Sequence, residues 1–293
     1  MKTKKKAKCL PTIRRPHVAS QFYEGDAEAL RAQVTSCFLH SLGPKKLPQT
    51  NLLNHPRNIV GLICPHAGYM YSGPVAAHAF YELAIDGKPD TVVILGPNHT
   101  GYGSALSIMR EGAWRTPLGD VEIDSAIADA ILHETNLIDV DELAHRYEHS
   151  IEVQLPFLQF LYGSAFKIVP ICYQLQDYES AVEVGRALTE ALADTNSVVI
   201  ASSDMTHYEP AKDAALKDHA ALKAVTDMDA KRFYETVETQ NITACGFMPI
   251  TSLITYGVGV CAKSQLLSYH NSGDITGDHS SVVGYAAVSF KKQ

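Results

Sequence analysis

A chain of 293 residues with 46% hydrophobic and 19% charged residues has the make-up of a soluble globular protein, long enough for one large α/β domain or two ordinary ones. A net charge of −7 argues against a nucleic-acid partner, which would be held largely through Lys and Arg. No apolar run is long enough to span a bilayer, and the basic cluster from Lys2 to Lys8 precedes no apolar signal core, so a cytoplasmic protein with a solvated tail over residues 1–12 is expected.

In chain order, Arg14-Arg15-Pro16 leads into Gln21-Phe22-Tyr23-Glu24-Gly25. Asp26 then reads as the N-cap of an amphipathic helix to about His40, with Leu30, Val34, Cys37 and Phe38 near one face. A proline-containing loop over 43–58 precedes a buried strand, Ile59 to Cys64. Pro74 suits the first turn of the next helix, which continues through Leu83. Thr91 to Leu95 is a second buried strand, Ser104 to Met109 a third, and Asp124 caps a helix to about His133. A long helix is expected from Glu148 to Tyr162, kinked or restarted at Pro156.

The strand Lys167 to Cys172, an amphipathic helix from Tyr178 to Ala193 and the strand Ser197 to Ser202 come next. Helices are expected over 211–226 and 229–239, and Cys245 opens a last apolar helix, Gly246 to Tyr256. Strands Ser264 to Asn271 and Ser281 to Phe290 close the chain. Strands alternate with helices, and no repeat, linker or break in composition interrupts residues 13–293. The expectation is a single α/β domain whose mostly parallel central sheet is flanked by helices.

Three strands end in histidine: Cys64-Pro65-His66, Gly96-Pro97-Asn98-His99 and Ser202-Ser203-Asp204-Met205-Thr206-His207. Ligands of open α/β sheets bind at the carboxyl ends of strands, so these three units face one candidate cleft. A lone histidine there is more often a hydrogen-bonded structural residue, but His66 and His99 together make a half-site for iron, copper or zinc. Asp204 either ligates, orients His207, or simply caps the next helix. Cys245 precedes a helix, whose N-terminal field lowers a thiol pKa, although a lone cysteine is commonly just a small buried residue. In Glu148-His149-Ser150-Ile151-Glu152, His149 and Glu148 are candidates for a supporting or substrate-facing role, as are Tyr69 and Arg115. The six cysteines contain no Cys-x-x-Cys pair, which favours reduced thiols and offers no zinc-ribbon spacing.

Taken together, Arg15-Pro16, Gln21-Phe22-Tyr23, Pro65-His66-Ala67-Gly68-Tyr69, Tyr71-Ser72-Gly73 and Gly96-Pro97-Asn98-His99 resemble the Memo family. So do Trp114-Arg115-Thr116-Pro117-Leu118-Gly119, Glu148-His149-Ser150-Ile151-Glu152 with Leu155-Pro156-Phe157, Ser202 through Tyr208, and Ser281-Val282-Val283-Gly284-Tyr285. The resemblance runs from about Ile13 to Phe290 and implies a fold similar to the LigB-type, class III extradiol dioxygenases, which open catechol rings with non-haem iron. It implies His66, His99 and Cys245 as metal ligands, with His207 and Asp204 as catalytic candidates.

Where the extradiol pattern has a carboxylate ligand this sequence offers a thiol, which softens the site and makes copper a competitor to ferrous iron, with zinc third. The leading expectation is metal-dependent or redox chemistry on a small molecule. A peptide- or adaptor-binding protein with a vestigial site, of the kind suggested to take phosphotyrosine peptides, and a true extradiol dioxygenase are the alternatives. Of the cations near the motif loops, only Arg115 and Arg146 would serve a phosphopeptide. The resemblance also implies AMMECR-type and radical-SAM proteins as pathway partners.

Overall fold

In the computed structural model, residues 12–51 and 57–293 are described, so the expected tail, apart from Thr12, and the middle of the 43–58 loop lie outside them. The chain begins with β1 (Ile13–Arg14), α1 (Ala27–Leu39), β2 (Ile59–Cys64), α2 (Tyr69–Asp86) and β3 (Thr91–Pro97). Asp26 caps α1 by accepting from the Glu28 and Ala29 amides, and Leu30, Val34, Cys37 and Phe38 form its buried stripe. Short strands come next: β4 (Leu106–Ile108), β5 (Ala113–Thr116) and β6 (Gly119–Glu122). Then come α3 (Ser125–Glu134), β7 (Asp139–Val140), α4 (Leu155–Tyr162), β8 (Lys167–Tyr173), α5 (Tyr178–Ala191) and β9 (Ser197–Ser202). The last part holds β10 (His207–Glu209), α6 (Ala211–Thr226), α7 (Ala230–Thr239), α8 (Phe247–Gly259), β11 (Ala262–Asn271), α9 (Gly273–Thr276) and β12 (Val282–Lys292).

Four strands run parallel at the centre in the order β2-β9-β3-β8. Antiparallel neighbours flank them, β12 with β10 and β11 on one side and β4 on the other, with β7 parallel to β4. A separate small sheet joins β1, β5 and β6. The central strands are apolar on both faces because helices cover both. In β3, Val92 and Ile94 pack towards α1, α2 and α4, whereas Val93 and Leu95 pack towards α3, α5, α7 and α8. No helix among the described residues is long and apolar enough to cross a membrane.

Two boundaries differ from the sequence expectation. Helix α2 starts at Tyr69, five residues before Pro74, because the Gly68 carbonyl collects the Tyr71 and Ser72 amides while Phe22 accepts from the Tyr69 N–H. Pro74 therefore lies inside the helix. The long helix expected from Glu148 is only α4, preceded by a 3-10 turn at Glu152–Gln154. Glu148 accepts from the His149 and Ser150 amides that a helix would leave for its own start, so the segment is a side-chain-capped turn.

Candidate metal centre

The strands ending in His66, His99 and the Ser202-to-His207 loop are neighbours in the sheet, with β9 between β2 and β3. Their carboxyl ends therefore open on one cleft, at the point where the chain has skipped a place and later filled it. The His66 and His99 ring centroids are 5.2 Å apart, and His149 stacks on His99 at 4.6 Å.

The hydrogen bonds fix which nitrogen each imidazole presents. Ser202 Oγ donates its one proton to the Ser150 carbonyl at 2.6 Å and accepts from Gln154 Nε2 at 2.8 Å. Its remaining contact, 2.9 Å to His66 Nδ1, must then be accepted from an Nδ1–H. That leaves the Nε2 lone pair of His66 free, pointing at Cys245 Sγ 3.1 Å away. Burial, reinforced by the neighbouring His149, His99 and His207, pushes His66 well below the usual imidazole range, so the ring is neutral.

His99 presents the same nitrogen by different means. Its Nδ1 lies 2.9 Å from Glu148 Oε1, so an Nδ1–H donates to the carboxylate and Nε2 is again the free nitrogen. Glu148 Oε2 accepts from the His99 amide at 2.5 Å, and Oε1 also takes the His149 and Ser150 amides. Burial alone would raise Glu148, but the bond from His99 and the surrounding donors prevail and hold it down at about 2. Burial lowers His149 to about 4, with Glu148 opposing, and Phe22 packs on its ring at 4.7 Å.

Cys245 stands at the entry to α8. Gly246 brings that helix against β9, since a Cβ there would lie 2.3 Å from the Ser202 carbonyl. The ligand atoms of His66, His99 and Cys245 all fall within 4.8 Å of one another. Two imidazole nitrogens and one thiol form a donor set that suits a borderline or soft transition metal. A second group, His99, Glu148 and His149, is equally compact, but there the carboxylate is already saturated by amides and by His99.

Against the expectation from the helix field, the Cys245 thiol is pushed up, first by burial and then by the Asp204 carboxylate. Asp204 Oδ1 accepts from the His66 and Ala67 amides at 2.8 and 3.3 Å, so this carboxylate shapes the His66 loop. Burial raises it to about 6 despite those bonds. His207 donates from Nδ1 to the Thr243 carbonyl at 2.9 Å, which leaves its Nε2 unclaimed.

Two of the expected supporting residues stand elsewhere. Tyr69 is buried, with its hydroxyl donating to the Val153 carbonyl and its ring on Phe157, a core position. Arg115 is held bidentately by Asp120 on the β5–β6 hairpin. Sequence reading missed Ser202, Gln154 and Thr243 as orienting groups, since a hydroxyl or amide carries no signal of the ring it will face. It also missed that Glu152 binds Arg14, the His17 and Val18 amides and the Tyr23 hydroxyl, fastening the N-terminal segment behind the site.

The family profile described as Memo-like protein matches residues 14–289. The chain belongs to the Memo family. It is 50% identical to a MEMO1 family protein of Methanopyrus kandleri over 282 residues, covering 95% of this chain and 99% of that one. MEMO1 family proteins of Sulfurisphaera tokodaii and Methanothermobacter thermautotrophicus are 48% and 49% identical, over 95% and 94% of this chain and 99% and 100% of theirs. In fold the chain is similar to an uncharacterized protein of Escherichia coli K12, with a TM-score of 0.53 at 13% identity, covering 79% of this chain and 99% of that one.

Proposed function

We propose that this Memo family member is a metal-dependent protein acting on a small molecule, with one metal ion held by His66, His99 and Cys245. The single observation that carries the reading is the enforced tautomer of both imidazoles: two networks, meeting at the backbone of Ser150, leave Nε2 of each ring free towards the same thiol. Ferrous iron is the proposed ion, copper the next candidate because of the thiol, and zinc third. When bound, such an ion supplies redox or Lewis-acid activation of the small molecule. The elevated thiol means that binding expels a proton from Cys245, so metal affinity rises with pH.

His207, whose Nε2 is free, is the residue proposed to move a proton at the bound molecule, with Asp204 beside it ionising at about 6. His149 and Phe22 wall the cleft. A cytoplasmic location and a shared pathway with AMMECR-type and radical-SAM proteins belong to the same proposal. The test is metal analysis of protein purified without chelators. Near-stoichiometric metal is expected, lost in a His66→Ala, His99→Ala double variant and reduced in Cys245→Ser; unchanged metal in the double variant would reject the assignment.

A further inference from the structure

Outside the histidine cleft, a cavity of about 340 Å³ opens between the first strand and the segment leading to Glu148. Its walls include Arg15, His17, Glu142, Arg146 and Tyr147. Two arginines share this one recess. Arg14, Arg57, Arg110, Arg115 and Arg232 are each engaged by a carboxylate, amide oxygen or carbonyl. Arg31, Arg186, Arg15 and Arg146 make neither an ion pair nor a side-chain hydrogen bond among the described residues, and of these four Arg15 and Arg146 line this one cavity together. Two guanidinium groups without a protein partner that line the same recess offer donors for an anion, on a chain whose net charge is otherwise −7.

The walls are held in place. Arg14 is buried beneath, donating to the His145 and Glu148 carbonyls, and so ties β1 to the segment that carries Arg146. The His17 and Tyr147 rings meet edge to face at 5.3 Å, and Tyr147 in turn meets Tyr102 at 5.9 Å. Glu142 stands in the same wall without neutralising either arginine. It opposes a long polyanion and leaves a place for a donor on the same ligand.

We propose that this cavity binds the phosphate or carboxylate group of a small molecule through Arg15 and Arg146, with Glu142 limiting the total negative charge accepted. The site does not depend on the metal ligands. Because Tyr147 adjoins Glu148, which holds the His99 and His149 side chains, an occupied cavity contacts the same segment that orients the metal ligands.

The full chain, stripped of metal and dialysed free of chelator, is titrated with inorganic phosphate and, separately, with succinate at constant ionic strength in chloride. Saturable one-to-one binding of either anion is expected, and which one saturates assigns the group as phosphate or carboxylate. Arg15→Ala and Arg146→Ala should each weaken that binding at least fivefold, and Glu142→Gln should strengthen phosphate binding severalfold. Both arginines are exposed, so thermal melting without ligand should not move, which separates lost binding from lost folding. A linear, unsaturable response to both anions would overturn the proposal, as would wild-type affinity in the Arg15→Ala, Arg146→Ala double variant. Either result leaves the metal reading standing, and binding retained in the His66→Ala, His99→Ala variant confirms that the two sites are separate.

Discussion

His66 and His99 offer the same nitrogen to the same point, yet the two walls that hold them are built differently. The His66 ring is held by neutral groups: its Nδ1 meets a buried chain of serine, glutamine and carbonyl groups, while the Asp204 carboxylate touches only the backbone amides of its loop. The His99 wall is ionic, with one carboxylate gathering two imidazoles and three amides. A neutral network specifies direction at low electrostatic cost, whereas a carboxylate also makes the imidazole a stronger donor to a metal. The difference predicts that the two histidines respond unequally to loss of their supports.

The largest effect is expected on the ionic side. Glu148→Ala strands the buried amides and releases His99, and should cost about 3–5 kcal/mol of stability and roughly 10- to 100-fold in metal affinity. Urea unfolding and a metal-chelator competition measure the two separately; metal affinity within twofold of wild type would show that His99 needs no carboxylate.

The same wall carries pH sensitivity. His145, whose carbonyl accepts from Arg14, is held down at about 3, first by burial and then by the Arg14 charge. The unfolded chain takes up a proton at about 6.5 that the native chain refuses, so this contribution is intact above that pH and is lost as the pH falls towards 3, by up to ~1.4 kcal/mol per pH unit. Between pH 6.5 and 5 the metal-free wild type should lose ~1.6 kcal/mol more than His145→Asn. Parallel pH profiles for the two proteins would contradict it.

On the neutral side, Ser202→Ala leaves His66 Nδ1–H and the Gln154 amide without their acceptor, at an expected ~1–2 kcal/mol and a tenfold or smaller loss of metal affinity. If Ser202→Ala proved more damaging to metal binding than Glu148→Ala, the ranking of the two walls would be reversed. The smallest effect is a gain, at the third strand end. Tyr208, beside His207, has a left-handed backbone (φ 61°), lies at a shift in the β10–β12 register and is 79% exposed. Tyr208→Gly should raise stability by less than ~1 kcal/mol, since the relieved strain is set against only an edge contact of the ring with His207 at 5.7 Å and the extra freedom of glycine in the unfolded chain. A lower melting temperature would mean that the ring is packed after all.

The sheet was legible because its strands are short apolar runs bounded by Gly and Pro, and because covered parallel strands leave no polar face to confuse the pattern. His66 and His99 were legible as strand-end residues. Cys245, 179 residues from His66, had only a helix start to mark it until the motifs were read together. The protonation of that thiol was misread, because the helix-end field is a smaller effect than desolvation beside a carboxylate. Periodicity also failed at Glu148, where a side chain took over the capping that continuous helix would need. Ser202 and Gln154 were hidden for the opposite reason: their importance lies in where single protons point, and residue type does not encode that.

Arg14 and Glu152 stand 138 residues apart in the chain, and His66 and Cys245 stand 179 apart. At the pace of synthesis, ~5–20 residues per second, Arg14 waits roughly 7–28 s for its partner to be made and His66 roughly 9–36 s for the thiol. During that interval the groups that orient the two histidines, Glu148, Gln154 and Ser202, are made before the third donor. For the metal site proposed above, the order of synthesis means that an ion arriving before α8 would meet at most two nitrogens, and one arriving after it the full set.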